Sequence, residues 1–173
     1  VAVTATNRDD IEAFAISLGG AGTVAVSIGA AVTVVDADTR AFVGAGAKVN
    51  ENTAAAGSAQ DVLVVAGSDL YHLGVGAGAA AAGSGAGAPG VDVSVISNTT
   101  EAFVGSGAKV QARRDVLVVA RAEEDLFSVA AGLAVSGGLS LAGGVSVLSI
   151  DNTTRAYIGD NATVTADANV LVA

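Results

Sequence analysis

Asp61-Val-Leu-Val-Val-Ala66 returns twice further along the chain, as Asp115-Val-Leu-Val-Val-Ala120 and, in a shorter form, as Asn169-Val-Leu-Val-Ala173. The three copies begin at positions 61, 115 and 169, so the two intervals are equal. Self-similarity at a fixed period is typical of repeat proteins, in which each copy packs against the next one. The sequence therefore predicts a structural unit of about 54 residues that is used in tandem.

A second motif sets the length of each copy. It occupies residues 38–44, 99–105 and 153–159, and its first interval exceeds its second by seven positions. These extra residues of the first copy fall in the polar segment 50–60, which predicts a surface loop. We place the repeats at residues 1–61, 62–115 and 116–169, with a stub at 170–173. Because Val1 and Val170 lie at the same phase, we expect one continuous fragment of a longer polypeptide.

The third copy indicates β-structure, because its side chains alternate with a period of two. Large apolar residues stand at odd positions, and only Gly, Ala and Ser stand at the even positions between them. The odd set is Val129, Leu133, Val135, Leu139, Leu141, Val145 and Val147. A helix would instead place its apolar residues at a period of 3.6.

We predict an all-β chain that forms a right-handed parallel β-helix (β-solenoid) from these repeats. Coils of about 18 residues, stacked about 4.8 Å apart, would give nine or ten rungs and a rod of roughly 45 Å. Two coils of about 27 residues per repeat are the alternative. One corner follows the second motif, where Gly46, Gly107 and Asn161 indicate a positive φ. The polar triplets 36–38, 97–99 and 151–153 predict another corner.

The small even-numbered side chains form the candidate packing or assembly face. Strands that present Gly, Ala and Ser outward would make a flat sheet able to approach another layer more closely than the usual spacing of about 10 Å. That layer would be a second sheet of the same chain or an identical protomer. The face is represented by Ser136, Gly138, Ser140, Ala142, Gly144 and Ser146.

Composition restricts the function classes. The formal net charge is −9 with only eight Lys and Arg, which argues against nucleic-acid binding. There is no Cys, as is common in exported bacterial proteins, so no disulfide or thiolate metal site can form. Gly and Ser interrupt every apolar stretch, so we expect no transmembrane segment.

Four groups of polar residues are candidate sites. His72 aligns with Ile11 and Leu126 and is interpreted as structural, since no Ser/His/Asp arrangement can be assembled around it from the sequence. The acidic cluster 123–125 aligns with acidic residues of the other copies. It suits a solvated turn with Arg121 or Arg8 as partners, and glycoside cleavage by paired carboxylates is the alternative.

Asp36, Asp38, Asp151 and Asn152 offer oxygen ligands for Ca²⁺, but turn-forming chemistry is the preferred interpretation. Asn98, Asn152 and Asn161 begin Asn-x-Thr sequons and are interpreted as corner residues. We therefore assign no catalytic, cofactor or metal site.

The motif Asn-Thr-Thr-(Arg/Glu)-Ala-(Phe/Tyr)-(Val/Ile)-Gly at 98–105 and 152–159, together with Asp-Val-Leu-Val-Val-Ala, resembles the repeats of giant exported bacterial proteins. These are adhesins of the filamentous-hemagglutinin and leukotoxin-like type. The resemblance covers essentially the whole chain and implies a β-helical stalk at the bacterial surface. It identifies no ligand.

We therefore expect a non-enzymatic structural segment of a secreted or cell-surface adhesin-like protein, acting as a rigid stalk. Its partners would be neighbouring repeats or identical protomers, with any host-cell or polysaccharide ligand bound elsewhere in the full protein. The alternative is a self-assembling extracellular filament subunit, joined through the small-residue face or the rung ends. A polysaccharide-active β-helix is a more remote alternative.

Overall fold

A computed structural model describes residues 1–173, and every regular element in it is a β-strand. The first pass along the chain comprises β1 (Ala2–Ala21), β2 (Val24–Val26), β3 (Gly29–Val43) and β4 (Lys48–Val49). The second comprises β5 (Val62–Ala82), β6 (Gly85–Val104) and β7 (Lys109–Ala112). The third comprises β8 (Asp115–Ser136), β9 (Leu139–Ile158) and β10 (Thr163–Ala166), and β11 (Asn169–Val172) follows. The fold contains no helix that could cross a membrane.

Each pass contributes to the same three sheets, and all strand pairs are parallel. The first sheet has the order β1-β5-β8-β11. In the second sheet β6 lies between β9 on one side and β2 and β3 on the other. The third sheet is short, with the order β10-β7-β4. The chain is therefore all-β with parallel sheets.

The ladder register decides how long one circuit of the chain is. Ala2 lies opposite Leu63, and Val62 lies opposite Val116, so each residue pairs with the same phase of the next repeat. One circuit is therefore one whole repeat. The predicted short coils, with nine or ten rungs, are wrong, and so is the alternative of two coils per repeat. The cause is strand length, because β5 alone has 21 residues. The triplets 36–38, 97–99 and 151–153 lie within long strands and form no corner.

The predicted turn after the second motif is confirmed. Gly46, Gly107 and Asn161 have φ values of 67°, 69° and 58°. Glycine adopts this left-handed conformation without steric cost, and Asn is among the few other residues that tolerate it. The loop expected at 50–60 is confirmed as well, because no strand lies between β4 and β5.

The main hydrophobic core lies where the three sheets meet. Val62, Val64, Val104, Val110 and Val116 are all completely buried there. Alanine side chains of the same strands complete this cluster. The repeated Asp-Val-Leu-Val-Val-Ala motif supplies the valines of β5 and β8, so its alternation places Val inward and leaves the following residue half-buried.

Beyond this core the first and second sheets close upon each other and form a thin two-layered plate. We call it the blade, and it comprises residues 13–32, 74–93 and 128–147. A Cβ atom added to Gly76 would lie 1.8 Å from the carbonyl oxygen of Val91, and one added to Gly144 would lie 2.0 Å from that of Ala130. Sheets ordinarily pack about 10 Å apart, and only the smallest side chains fit between these two.

The small side chains pack closely against a second sheet of the same chain, which is one of the two layers considered for them, but their predicted outward orientation is wrong. The Gly, Ala and Ser positions face inward, between the sheets, and the large apolar positions face outward. Leu133, Leu139 and Leu141 are exposed by 64%, 79% and 74%. The physical reason is the close approach of the two backbones, which leaves no room for branched side chains between them.

Candidate functional site

A polar cluster lies between the two long sheets, where the blade joins the rest of the fold. His72, Asp92 and Ser94 are each completely buried. Nε2 of His72 and Oγ of Ser94 are 2.8 Å apart, and the Ser94 hydroxyl donates to Oδ2 of Asp92 over 3.3 Å. The hydroxyl of Ser128 donates to the same carboxylate oxygen. A second group of buried polar side chains surrounds Asn98, on the same strand as Asp92 and Ser94.

The position of each member follows from strand register. His72 lies on β5 between Ile11 and Leu126, as the sequence alignment predicts. Asp92 lies on β6, and its carboxylate occupies the space over Gly74. A Cβ atom at that glycine would lie 2.6 Å from both carboxylate oxygens, so the missing side chain makes room for the acid.

The order of hydrogen bonds is not that of a catalytic triad. In a triad the acid orients the histidine, and the histidine takes the proton of the serine. Here Asp92 bonds to Ser94, while Nδ1 of His72 and Oδ1 of Asp92 have no hydrogen-bond partner. Complete burial also denies a substrate access to Ser94. The arrangement can hold two strands in register, but it offers no reactive group to solvent.

Sequence reasoning missed the partners of His72, because they lie far along the chain on the facing sheet. The alternation of inward and outward residues along β6 is the signal that would have found them. Asp92 and Ser94 share the inward parity of the buried residues Ala88 and Ile96.

The acidic cluster 123–125 lies within β8 and not in the predicted turn. Its members are divided between the two faces of the strand. Glu124 points inward, and its Oε1 accepts hydrogen bonds of 2.7 Å from the Nδ2 atoms of Asn98 and Asn152. Glu123 points outward and forms an ion pair of 2.9 Å with Arg121. Glu123 and Asp125 share the outer face with Asp10, Glu12 and Asp69, where they line an open depression of the surface. Glycoside cleavage by these carboxylates stays a prediction.

The oxygen-bearing residues considered for Ca²⁺ are also separated by the sheet. Asp36, Asp38 and Asp151 have the outward parity of the second sheet, whereas Asn152 has the inward parity and binds Glu124. Asp38 instead pairs with Arg40 at 2.9 Å. No group of three or more acidic or histidine side chains converges on one point.

The three sequons differ in their surroundings. Asn98 is only 1% exposed and bonds to Ser68 and Glu124, so it cannot receive a glycan in the folded chain. Asn152 bonds to Glu124, and Asn161 occupies the positive-φ turn position. The corner interpretation is therefore correct for Asn161 alone.

The residues of the candidate assembly face line the gap between β8 and β9. Oγ of Ser136 lies 2.9 Å from Oγ of Ser140, and the hydroxyls of Ser128 and Ser146 also form a hydrogen bond. Gly144 faces the backbone of β8, and Gly138 lies against the backbone of Ser84, in the turn of the preceding pass. Ala142 lies in register with the buried Ala88. β9 is an edge strand, so these side chains are accessible along that edge. An assembly role for them stays a prediction.

One exposed ion pair joins successive passes at the start of the long strands. Nε of Arg114 donates to Oδ1 of Asp61 over 2.8 Å, and its Nη2 donates to Oδ2. This bidentate hydrogen bonding lowers the pKa of Asp61 below its ordinary value and raises the pKa of Arg114. The pair fixes the beginning of β5 against the turn that precedes β8.

No protein-family model matches the chain, and no curated protein or solved structure matches it either. The function is therefore inferred from the sequence motifs, the fold and its side chains.

Proposed function

We propose that this chain is a structural, non-enzymatic segment of a bacterial surface or secreted protein of the adhesin type. Its repeats would wind as a right-handed parallel β-helix, one repeat per rung, and serve as a rigid stalk. The resemblance of its motifs to such repeats suggested this role, and the parallel sheets are compatible with it.

The observation that carries the proposal is the vertical stacking of like residues from pass to pass. On the outer face of the second sheet Phe42, Phe103 and Tyr157 form a column with ring centroids 5.1 and 4.9 Å apart. Beside it Arg40 and Arg155 flank Glu101 at 3.0 and 3.8 Å. Such columns stabilise one register over a slipped one, because a shift by one residue would move every side chain to the other face.

The polar interior supports a structural role in the same way. Buried polar groups are costly unless they are hydrogen-bonded, and those near His72 and Glu124 bond mostly to each other across the sheets. They restrict how the two sheets can slide. Neither cluster combines access from solvent with a nucleophile and its base.

A stalk of this kind would be wide and would grow slowly with chain length. A strand of about 20 residues is about 66 Å long, whereas each added pass lengthens the stack by about 4.8 Å. A stalk of about 100 Å would therefore need about 21 passes. The expected object is a broad ribbon, and its stiffness would come from the two long sheets.

The competing proposal is a filament subunit that polymerises through its rung ends. It is favoured by the open edges of β1 and β9, whose backbone groups have no strand partner on one side. The two proposals differ in whether separate chains join end to end.

The test is small-angle scattering and electron microscopy of this chain and of a variant in which residues 62–115 are duplicated. The stalk proposal predicts that the duplication adds about 5 Å in one dimension and leaves the other two unchanged. End-to-end filaments of the unmodified chain would support the competing proposal. A change in the long dimension, along the strands, would contradict both.

A further inference from the structure

The outer surface of the blade has no charged side chain on either sheet. Asp92 is the one charged residue within residues 13–32, 74–93 and 128–147, and it is buried between the sheets. The outer faces instead present Leu, Ile, Val and Phe, with Leu18 exposed by 83%. Exposed apolar surfaces this extensive mark places where another molecule binds. Both sides of the plate share the property.

The outer face of the first sheet has a trough between two ridges. The trough runs along β5, where the outward residues are Ala77, Ala79 and Ala81, and it has a volume of about 420 Å³. Leu18 of β1 stands on one side of it and Leu133 of β8 on the other. Because strands lie about 4.8 Å apart, the ridge and the trough have matching widths.

The second sheet has a corresponding trough of about 490 Å³ along β6. Its floor is made by Gly87 and Pro89, and Val26 and Leu141 stand on its two sides. In both sheets the second pass therefore supplies the small outward residues, and the passes beside it supply the large ones.

The edges of the blade argue against lipid as the occupant. The blade portions of β1 and β8 each lack a strand partner on one side, since β11 pairs only with residues 115–118. In hydrocarbon every unpaired backbone group costs several kcal/mol, and open sheet edges do not occur there. A partner that covers the two faces and leaves the edges in water avoids this cost.

We propose that the outer faces of the blade bind a second copy of this chain, ridge into trough. The two outer faces of the first sheet lie against each other with their strands antiparallel, and the second copy is displaced by the width of one strand along the direction in which the passes stack. The Leu133 ridge of the first copy then lies in the Ala79 trough of the second, and the Leu18 ridge of the second lies in the Ala79 trough of the first. The three residues share one register position, so both ridges fit at once. This contact goes beyond the stalk function, which requires no lateral contact.

Charge selects the antiparallel arrangement of the two blades. A charged belt borders the blade on the outer face of the first sheet; it holds five carboxylates, among them Asp10, Glu123 and Asp125, and one arginine, Arg8, so its net charge is negative. Parallel packing would bring these belts against each other, whereas antiparallel packing leaves each belt beyond the tip of the other blade. Like charges held close together destabilise a contact, so the antiparallel pair is favoured.

The area of one contact indicates weak association. The offset leaves two strands of each copy in contact, and about nine residues of about 3.3 Å on strands about 4.8 Å apart give roughly 300 Å² per partner. Stable interfaces bury about 1,200 to 2,000 Å² in total, so one face alone, with about 600 Å², makes a weak contact. A copy that uses both faces makes two such contacts, each of about 600 Å² in total, so every single contact is weak and association should depend strongly on concentration. The expected assembly is an open-ended lateral stack, because an offset contact does not close on itself.

The experiment is sedimentation velocity of the purified 173-residue chain over a wide concentration range. We expect species larger than a dimer that grow with concentration and persist in high salt. The variant Leu133→Lys/Leu141→Lys places one charge on a ridge of each face and should raise the half-association concentration at least tenfold. Thr4→Lys/Thr6→Lys adds the same charge to exposed positions of β1 outside the blade and should behave as the unmodified chain.

Ala79→Leu separates the proposed fit from general hydrophobic attraction. It makes the face more apolar but fills the trough, so ridge-into-trough packing predicts weaker association and nonspecific packing predicts stronger association. Circular dichroism of each variant establishes that it is folded. A chain that stays monomeric, stronger association of Ala79→Leu, or flotation with phosphatidylcholine vesicles that dissolves the oligomers would each overturn the proposal.

Discussion

Substitution of Gly76 by Ala tests how closely the two sheets of the blade approach. The new Cβ atom would lie 1.8 Å from the carbonyl oxygen and 2.4 Å from the carbonyl carbon of Val91. Real Cβ atoms do not come within 3.0 Å of such atoms. The sheets must therefore separate locally by about 1 Å, through the backbone shifts that an overpacked core requires. Both clashing groups belong to the backbone, and no change of rotamer relieves the clash.

The expected cost is about 3 kcal/mol of unfolding free energy. Overpacking a core costs about 1–3 kcal/mol, and a gap of about 0.5–1 Å already forfeits a quarter to a half of the dispersion attraction between the separated atoms. Gly67→Ala is the matched control in the same strand, because the nearest atom to its Cβ is 3.9 Å away. That change should be neutral or stabilise by a few tenths of a kcal/mol, through the lower entropy of the unfolded chain.

Urea unfolding followed by circular dichroism measures both free energies by linear extrapolation. The two alanine variants should differ by about 3 kcal/mol. If Gly76→Ala and Gly67→Ala unfold within about 0.5 kcal/mol of each other, the range typical of harmless surface substitutions, the sheets are not in backbone contact at this point. The explanation of the inward small residues would then be wrong.

Three further predictions concern the turn, the ion pair and the buried acid. Asn161→Val should lower the unfolding free energy by about 1–2 kcal/mol, because the φ of residue 161 is positive. Gly107→Asn should lower it far less, since Asn tolerates this conformation, and thermal unfolding of both variants measures the difference. Arg114 lowers the pKa of Asp61, so this carboxylate contributes stability above its unfolded pKa of about 3.9 and loses it as the pH falls through the lower folded value. Asp61→Asn should therefore flatten the acid side of the stability profile measured in urea, and an unchanged profile would contradict the ion pair. Asp92→Ser should raise the unfolding free energy by about 1 kcal/mol or more, since it removes a buried carboxylate with an unpartnered oxygen. A loss of stability would instead show that the hydrogen bonds that Asp92 accepts from Ser94 and Ser128 outweigh the cost of burying it.

The local structure could be predicted from the sequence, but the length of one circuit could not. Period two predicts strands, and Gly46, Gly107 and Asn161 predict the turn, because both signals act over a few residues. Where a strand ends is a different question. Asp36 and Asp38 suggest a corner, yet they are exposed residues on either side of the buried Ala37. Polar residues are compatible with a continuous strand when one of its faces lies in solvent, as the outer face of the second sheet does here.

The candidate site was hidden from the sequence for a related reason. His72 meets Ser94 only after the chain has passed through the blade and returned on the opposite sheet. Alternation along a strand indicates which of its residues share a face, but it does not indicate which residues of the opposite sheet they contact. Which residues of β5 and β6 meet across the two layers depends on the length of the turn at 83–84. A shift of one residue there would place Val93 or Val95, which now face outward, opposite His72 in the position of Ser94.

Hydrophobicity and packing make opposite predictions about which side chains of the blade face inward, and the structure follows packing. The usual rule places large apolar residues inside, and it would bury Leu133 and expose Gly132. A Cβ atom at Gly132 would lie 2.1 Å from the carbonyl oxygen of Ala88, so the backbones there are in contact through the glycine. Two sheets at this distance exclude any larger side chain, and the leucines must face outward whatever the cost in water. The glycines that bring the two sheets together therefore also leave the outer faces of the blade apolar. Exposing these faces to water is unfavourable, and a second blade would bury them while the open strand edges stay in water.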